Sequence, residues 1–146
     1  MLAGLLALTA AAVFTGAAFY VLFVEQPARL TLNDSAALSE FQPSYRKGAV
    51  MQASLAVIAC LLGLVAYWQS GNVLFAAGAI FQILPWPWTL LVIMPTNKRL
   101  LATAPVHADA ASTALIRKWG MLHGVRALLG LMAVIAYLWA LLATTT

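Results

Sequence analysis

A chain of 146 residues with 64% hydrophobic residues, 8% charged residues and a net charge of +4 is too short and too apolar to hide its hydrocarbon from water. Its mean hydropathy of +0.93 calls for acyl chains as solvent, and its one cysteine, Cys60, excludes a disulfide framework or a Cys-based metal motif. The eight Lys and Arg residues border apolar runs without forming a basic tract, which excludes a nucleic-acid surface.

The chain reads as a single all-α domain, 1–146, an integral membrane four-helix bundle with lipid as its first partner. The first run, 2–24, is uncharged and spans about 35 Å at 1.5 Å per residue, enough for a hydrocarbon core of about 30 Å. A cleaved signal peptide fits it less well, since the basic n-region is absent and the run exceeds an h-region. In the first loop, 25–47, Asn33-Asp34-Ser35 predicts a capped short helix over Ala36 to Phe41. Pro43-Ser44-Tyr45 then signals the start of a second span, 48–69. Gly71-Asn72 predicts a tight turn into a third span, 73–94, which should stop at Pro95-Thr96-Asn97. In the loop 95–119, Asp109 predicts a capped helix that runs unbroken into the fourth span, 120–142, and projects beyond the bilayer.

Arg29, Arg46 and Lys47 lie in the first loop, and Lys98, Arg99, Arg117 and Lys118 in the third. The positive-inside rule therefore puts loops 25–47 and 95–119 in the cytoplasm and both termini outside, in a bacterial-type plasma membrane. Small-residue pairs four apart (Ala12/Gly16, Ala49/Ala53, Ala59/Gly63 and Gly120/Gly124) suit close helix packing, and they leave self-association into a homo-oligomer open.

Few polar residues sit at membrane depth, where each must find a partner or face a cavity. Trp119, His123 and Arg126 recur at i, i+4 and i+7, within roughly 60° of one another on one face. Snorkelling of Arg126 and a carbonyl-satisfied His123 are the plainer alternatives. Glu25 ends the first apolar run, where the helix dipole disfavours an anion, so Arg126 or His123 is its expected partner; a solvated carboxylate is the alternative. In the third run, Pro85-Trp86-Pro87-Trp88 removes two backbone donors and predicts a kink or unwound stretch. The expected result is a pocket walled by Trp86, Trp88 and Gln82, with an aromatic belt as the alternative. Asn97 either caps the helix end or projects into the same site. His107 and His123 have no His-x-x-x-His spacing, so no cofactor is expected; haem or a metal on His123, helped by Glu25 or Asp109, is a minor alternative.

Glu25-x-Pro27, Met94-Pro95-Thr96-Asn97-x-x-Leu100 and Trp119-x-x-x-His123-x-x-Arg126 together resemble the anthrone oxygenase-like family of small four-span membrane proteins, over roughly Phe14 to Leu142. The resemblance implies oxidation by O2 of a lipophilic aromatic substrate, anthrone-like or quinol-like. In that reading His123 is the general base, Arg126 stabilises the enolate oxygen and Glu25 orients or charges the pair. Trp86, Trp88 and Trp119, with Asn97 and Gln82, would hold the flat substrate. A second class of function keeps the polar cluster structural, in a non-catalytic membrane subunit or hydrophobic-ligand binder. A transporter ranks third, since four spans leave one chain little room for alternating access.

Overall fold

The computed structural model describes residues 2–143; Met1 and Thr144–Thr146, the ends of the expected 1–146 domain, lie outside them. Every regular element among the described residues is helical. Four long helices, α1 Leu2–Arg29, α2 Asp34–Ser70, α3 Val73–Ala102 and α4 Ala110–Ala143, carry apolar stretches long enough to cross a bilayer. They pack as a ring in which α1 and α3 each touch α2 and α4. Side chains such as Leu5, Phe23, Leu61, Leu91 and Trp139 stand exposed on the outside, so this is a multi-pass membrane protein whose outer face needs lipid.

The helices run further than the sequence predicts. Instead of a separate helix over Ala36 to Phe41 and a fresh start near Pro43, α2 is one 37-residue helix with Pro43 inside it. Asn33 caps it, its side chain accepting from the Ala36 N–H at 2.9 Å. One proline forfeits one hydrogen bond, and continuing the helix buries Ala37, Leu38 and Phe41 in a cluster with Ile93, Leu100, Ile116 and Trp119. Burial outweighs the local break that Pro43 suggests. The helix expected to begin at Asp109 does form: Ser112 N–H bonds the Asp109 carboxylate at 2.9 Å, and α4 continues unbroken to Ala143.

Helix α3 also passes its expected stop at Pro95, and α1 passes Pro27. In both, a five-residue π-helical turn, Val21–Glu25 or Thr89–Ile93, ends two residues before the proline. A π turn shifts the hydrogen-bond register by one residue, which absorbs the missing N–H without breaking the helix. Pro85-Trp86-Pro87-Trp88 is likewise a helical turn and not an unwound stretch.

The core at the 70–73 turn is built from alanine. Ala3, Ala7 and Ala11 on α1, Ala59 and Ala66 on α2, and Ala133 and Ala140 on α4 are buried around Phe75 and Tyr137. Of the small-residue pairs, Gly63 touches Tyr137 and Gly120 touches Gln26, whereas Gly16 faces open space. At the opposite end loops one and three meet, where the Gln42 amide donates to the Leu100 and Thr103 carbonyls and the Thr113 hydroxyl to Asp34.

Candidate functional site

Both π turns border the same interior space. Val21 and Glu25 from the first and Thr89 from the second line two adjoining cavities on the loop side of the bundle. The inner one has a volume of about 20 Å³, room for one water-sized molecule; Glu25, Ser44, Tyr45, Trp119, His123 and Arg126 are among the side chains that line it. The outer one, about 170 Å³ and largely apolar, is lined by Phe14, Tyr45, Gln52, Pro85, Trp86 and Arg126 and opens at the exposed side chains of Trp86 and Leu90. Tyr45, Ala49, Gln52 and Arg126 belong to both.

On α4 the helical spacing does what it predicts. Trp119, His123 and Arg126 share one buried face, with the indole and imidazole stacked at 5.0 Å and 19°. His123 Nε2 lies 3.2 Å from the carbonyl oxygen of Ala18 on α1, and a carbonyl accepts, so that nitrogen carries the proton. Nδ1 is then a bare lone pair, and it has no partner among the described residues. The Arg126 guanidinium is buried too. Its Nη2 donates to the Gln52 amide oxygen at 3.0 Å and its Nε has no partner among the described residues.

Glu25 lines the inner cavity as expected, but the expected pairing with Arg126 or His123 is not formed. Arg29, one helical turn further along α1, takes Glu25 and also Glu40 from α2, while the Ser44 hydroxyl donates to Glu25. Arg29 is fully packed: it donates to the Gln26 amide at 2.8 Å and lies over the rings of Phe41 and Trp119 at 5.3 and 6.0 Å. Gln26 in turn donates to the Ile116 carbonyl at 2.7 Å, across a close approach of α1 and α4 that Gly120 permits. This network was missed in the sequence because Arg29 reads as a loop cation, although Glu25 and Arg29 stand at the i,i+4 spacing of a helical ion pair.

The remaining sequence-predicted residues divide. Trp86 walls the outer cavity, its indole N–H 3.4 Å from the Ala53 carbonyl. Trp88 does not join it: its N–H donates to the Leu122 carbonyl at 3.0 Å, and the ring faces an outer groove with Leu91 and Leu129. Gln82 is wholly buried with both amide atoms unpartnered and lines neither cavity, so no pocket is walled by the two indoles and Gln82. Asn97 is buried within α3 and does not end it; its amide donates to the Tyr45 hydroxyl at 2.7 Å. Gln52, Ser44 and Tyr45 were not anticipated. They are ordinary polar residues on α2 until the bundle brings Gln52 to Arg126, Ser44 to Glu25 and Tyr45 to Asn97. Among the described residues no group of three or more His, Cys, Asp or Glu is arranged to ligate a metal ion.

The chain matches the family model described as Anthrone oxygenase over residues 41–136, which takes in most of α2, all of α3 and most of α4, with Trp86, Asn97, Trp119, His123 and Arg126. It is also similar to a protein of Claviceps purpurea (strain 20.1) named Anthrone oxygenase, with 35% identity over 141 residues, covering 86% of this chain and 80% of that protein. No solved structure matches.

Proposed function

The chain belongs to the anthrone oxygenase family, and from that premise we propose that it is a membrane-embedded oxygenase that oxidises a lipid-dissolved aromatic substrate, anthrone-like or quinol-like, with O2. The observation that carries this reading is Arg126, a buried guanidinium whose hydrogen bond among the described residues goes to neutral Gln52 and whose Nε points at no partner. Both ion pairs among the described residues belong to Arg29. A buried cation without a carboxylate is costly, and an anionic ligand in the shared wall of the two cavities offsets that cost.

An anthrone supplies such an anion. Its CH2, flanked by two aromatic rings and opposite a ring ketone, loses a proton to His123 Nδ1, and the electron pair moves to the ketone oxygen, which Arg126 holds as an enolate. O2 adds at the carbanionic carbon, the proton returns from His123, and a hydroperoxide results. Removal of the second hydrogen from that carbon expels hydroxide as the O–O bond breaks. One O2 thus converts the CH2 to a ketone and releases one water. The ring body occupies the outer cavity against Trp86 and Phe14, Trp119 keeps His123 in plane, and Glu25 acts on the pair through the inner cavity. Substrate and O2 both arrive from the bilayer through the opening between α2 and α3. The chemistry as proposed uses no resident cofactor. Basic residues on loops one and three support placing that end in the cytoplasm of a bacterial-type plasma membrane, with the termini outside.

Oxygen uptake by purified protein supplied with an anthrone in the presence of chelator, corrected for protein-free micelles, tests the reading. His123→Ala should lower the rate about 10²–10⁴-fold. No uptake by the natural protein, or undiminished uptake by the variant, rejects it; a bound anthrone that is never oxidised leaves a hydrophobic-ligand binder.

A further inference from the structure

Tyr45 stands where the two cavities meet, and its position is over-determined. Its ring stacks on Phe41 one turn earlier in α2, at 5.7 Å and 9°, and meets the edge of Trp119 at 6.3 Å and 88°. Its hydroxyl oxygen accepts the Asn97 amide N–H at 2.7 Å, from a side chain that α3 buries completely. A phenol has one proton and two lone pairs. With Asn97 bonded to a lone pair, the proton stays available for an acceptor in the cavities that Tyr45 lines. Arg126 faces the same space with its Nε unpartnered. One neutral and one cationic donor on the shared lining of the two cavities suit a charged oxygen on a flat apolar body.

We infer that Tyr45 is a further catalytic residue, donating its hydroxyl proton in a hydrogen bond to the substrate's enolate or phenolate oxygen beside Arg126, with Asn97 as the positioning residue that turns the proton inward. This rests on the oxygenase reading for its reaction, but the anion site itself can be observed without turnover. A hydrogen bond to a charged oxygen strengthens as charge develops, so the site favours the ionised ligand over the neutral one.

The probe is 2-hydroxyanthraquinone, which resembles the product, is inert to O2 and changes from yellow to red when its hydroxyl ionises. Bound to the detergent-solubilised protein it should ionise at least about one pH unit below its midpoint in protein-free micelles. Tyr45→Phe, which keeps the stacked ring, should return about one unit of that shift while the dye still binds. Asn97→Asp is nearly isosteric and gives the hydroxyl proton an acceptor inside the helix pair, so it should have the same effect; it carries the test if Tyr45→Phe does not fold. A bound dye with an unshifted midpoint in the natural protein, no binding at all, or full retention of the shift in either folded variant overturns the inference. Anthrone-dependent oxygen uptake measured on the same preparations separates the two readings. A dye shift without uptake by the natural protein refutes the oxygenase and leaves the anion site, whereas uptake undiminished in Tyr45→Phe refutes the role of Tyr45 alone.

Discussion

Two buried arginines in this bundle should respond very differently to removal. The Arg29 side chain is 1% exposed and serves Glu25 and Glu40; replacing it with Met leaves those two carboxylates together without a cation. Breaking a fully buried ion pair costs about 3–5 kcal/mol, but the Glu25 and Glu40 side chains are 21% and 40% exposed, so solvent screening brings the expected loss to about 2–3 kcal/mol. Arg126→Met removes a cation that has no carboxylate. It recovers about 2.5–3.5 kcal/mol of the cost of holding Arg in an apolar interior and forfeits about 1–3 kcal/mol by orphaning the Gln52 amide. The expected net lies between a loss of about 0.5 and a gain of about 2.5 kcal/mol, and Arg126→Met with Gln52→Leu should be more stable still. Thermal unfolding in micelles reads the contrast, at roughly 3 °C per kcal/mol for a chain of this size. Arg29→Met should melt about 6–9 °C early and Arg126→Met at most about 2 °C early, while losing activity. If Arg126→Met loses as much as Arg29→Met, the guanidinium is a structural clamp and the case for an anionic ligand fails.

Gly78→Ala would place a methyl 2.5–2.6 Å from the Tyr137 ring, which Gly63 confines on its other side. Destabilisation of about 1–3 kcal/mol is expected in the same melts, whereas Gly16→Ala, with nothing within 4 Å, should be neutral or gain up to about 1 kcal/mol of helix propensity. Trp88→Phe, which removes the donor to Leu122, should cost about 1 kcal/mol of stability and leave the substrate KM unchanged, while Trp86→Ala should raise KM; an equal effect on KM would place both indoles at the substrate. The Asp109 carboxylate is held below its ordinary 3.8 by hydrogen bonds from the Ser112 backbone and then its side chain. Because the folded value is depressed, its contribution is fully present above pH 3.8 and is lost as pH falls through the folded value. The melting difference between the natural protein and Asp109→Ala should therefore close in strong acid; a difference that persists there refutes the charged cap.

Much of this was legible before any coordinates. Run length and hydropathy settle how many helices form and that lipid surrounds them, because both are sums over local sequence. The 3.6-residue period puts Trp119, His123 and Arg126 on one face, and the structure brings that face together with Glu25 around a cavity. The misread helix ends share one cause. Pro43 reads as a fresh start and Pro95 as a stop in isolation, and the long helices run through both because Phe41 and Leu100 gain more by burial than one missing hydrogen bond loses.

What tertiary structure alone decided is pairing. Glu25 was expected to pair with Arg126 or His123, and Arg29 takes it instead because the helix continues through Pro27 and delivers it one turn away. Gln52, Tyr45 and Asn97 become site residues through the rotation of α2 and α3 about their own axes, and Trp88 is turned outward by the same rotation. Hydropathy fixes which segments leave water, being additive along the chain. The rotation of each helix is set by how alanines, glycines and rings interlock between segments far apart in sequence, and on that depends which polar group meets which.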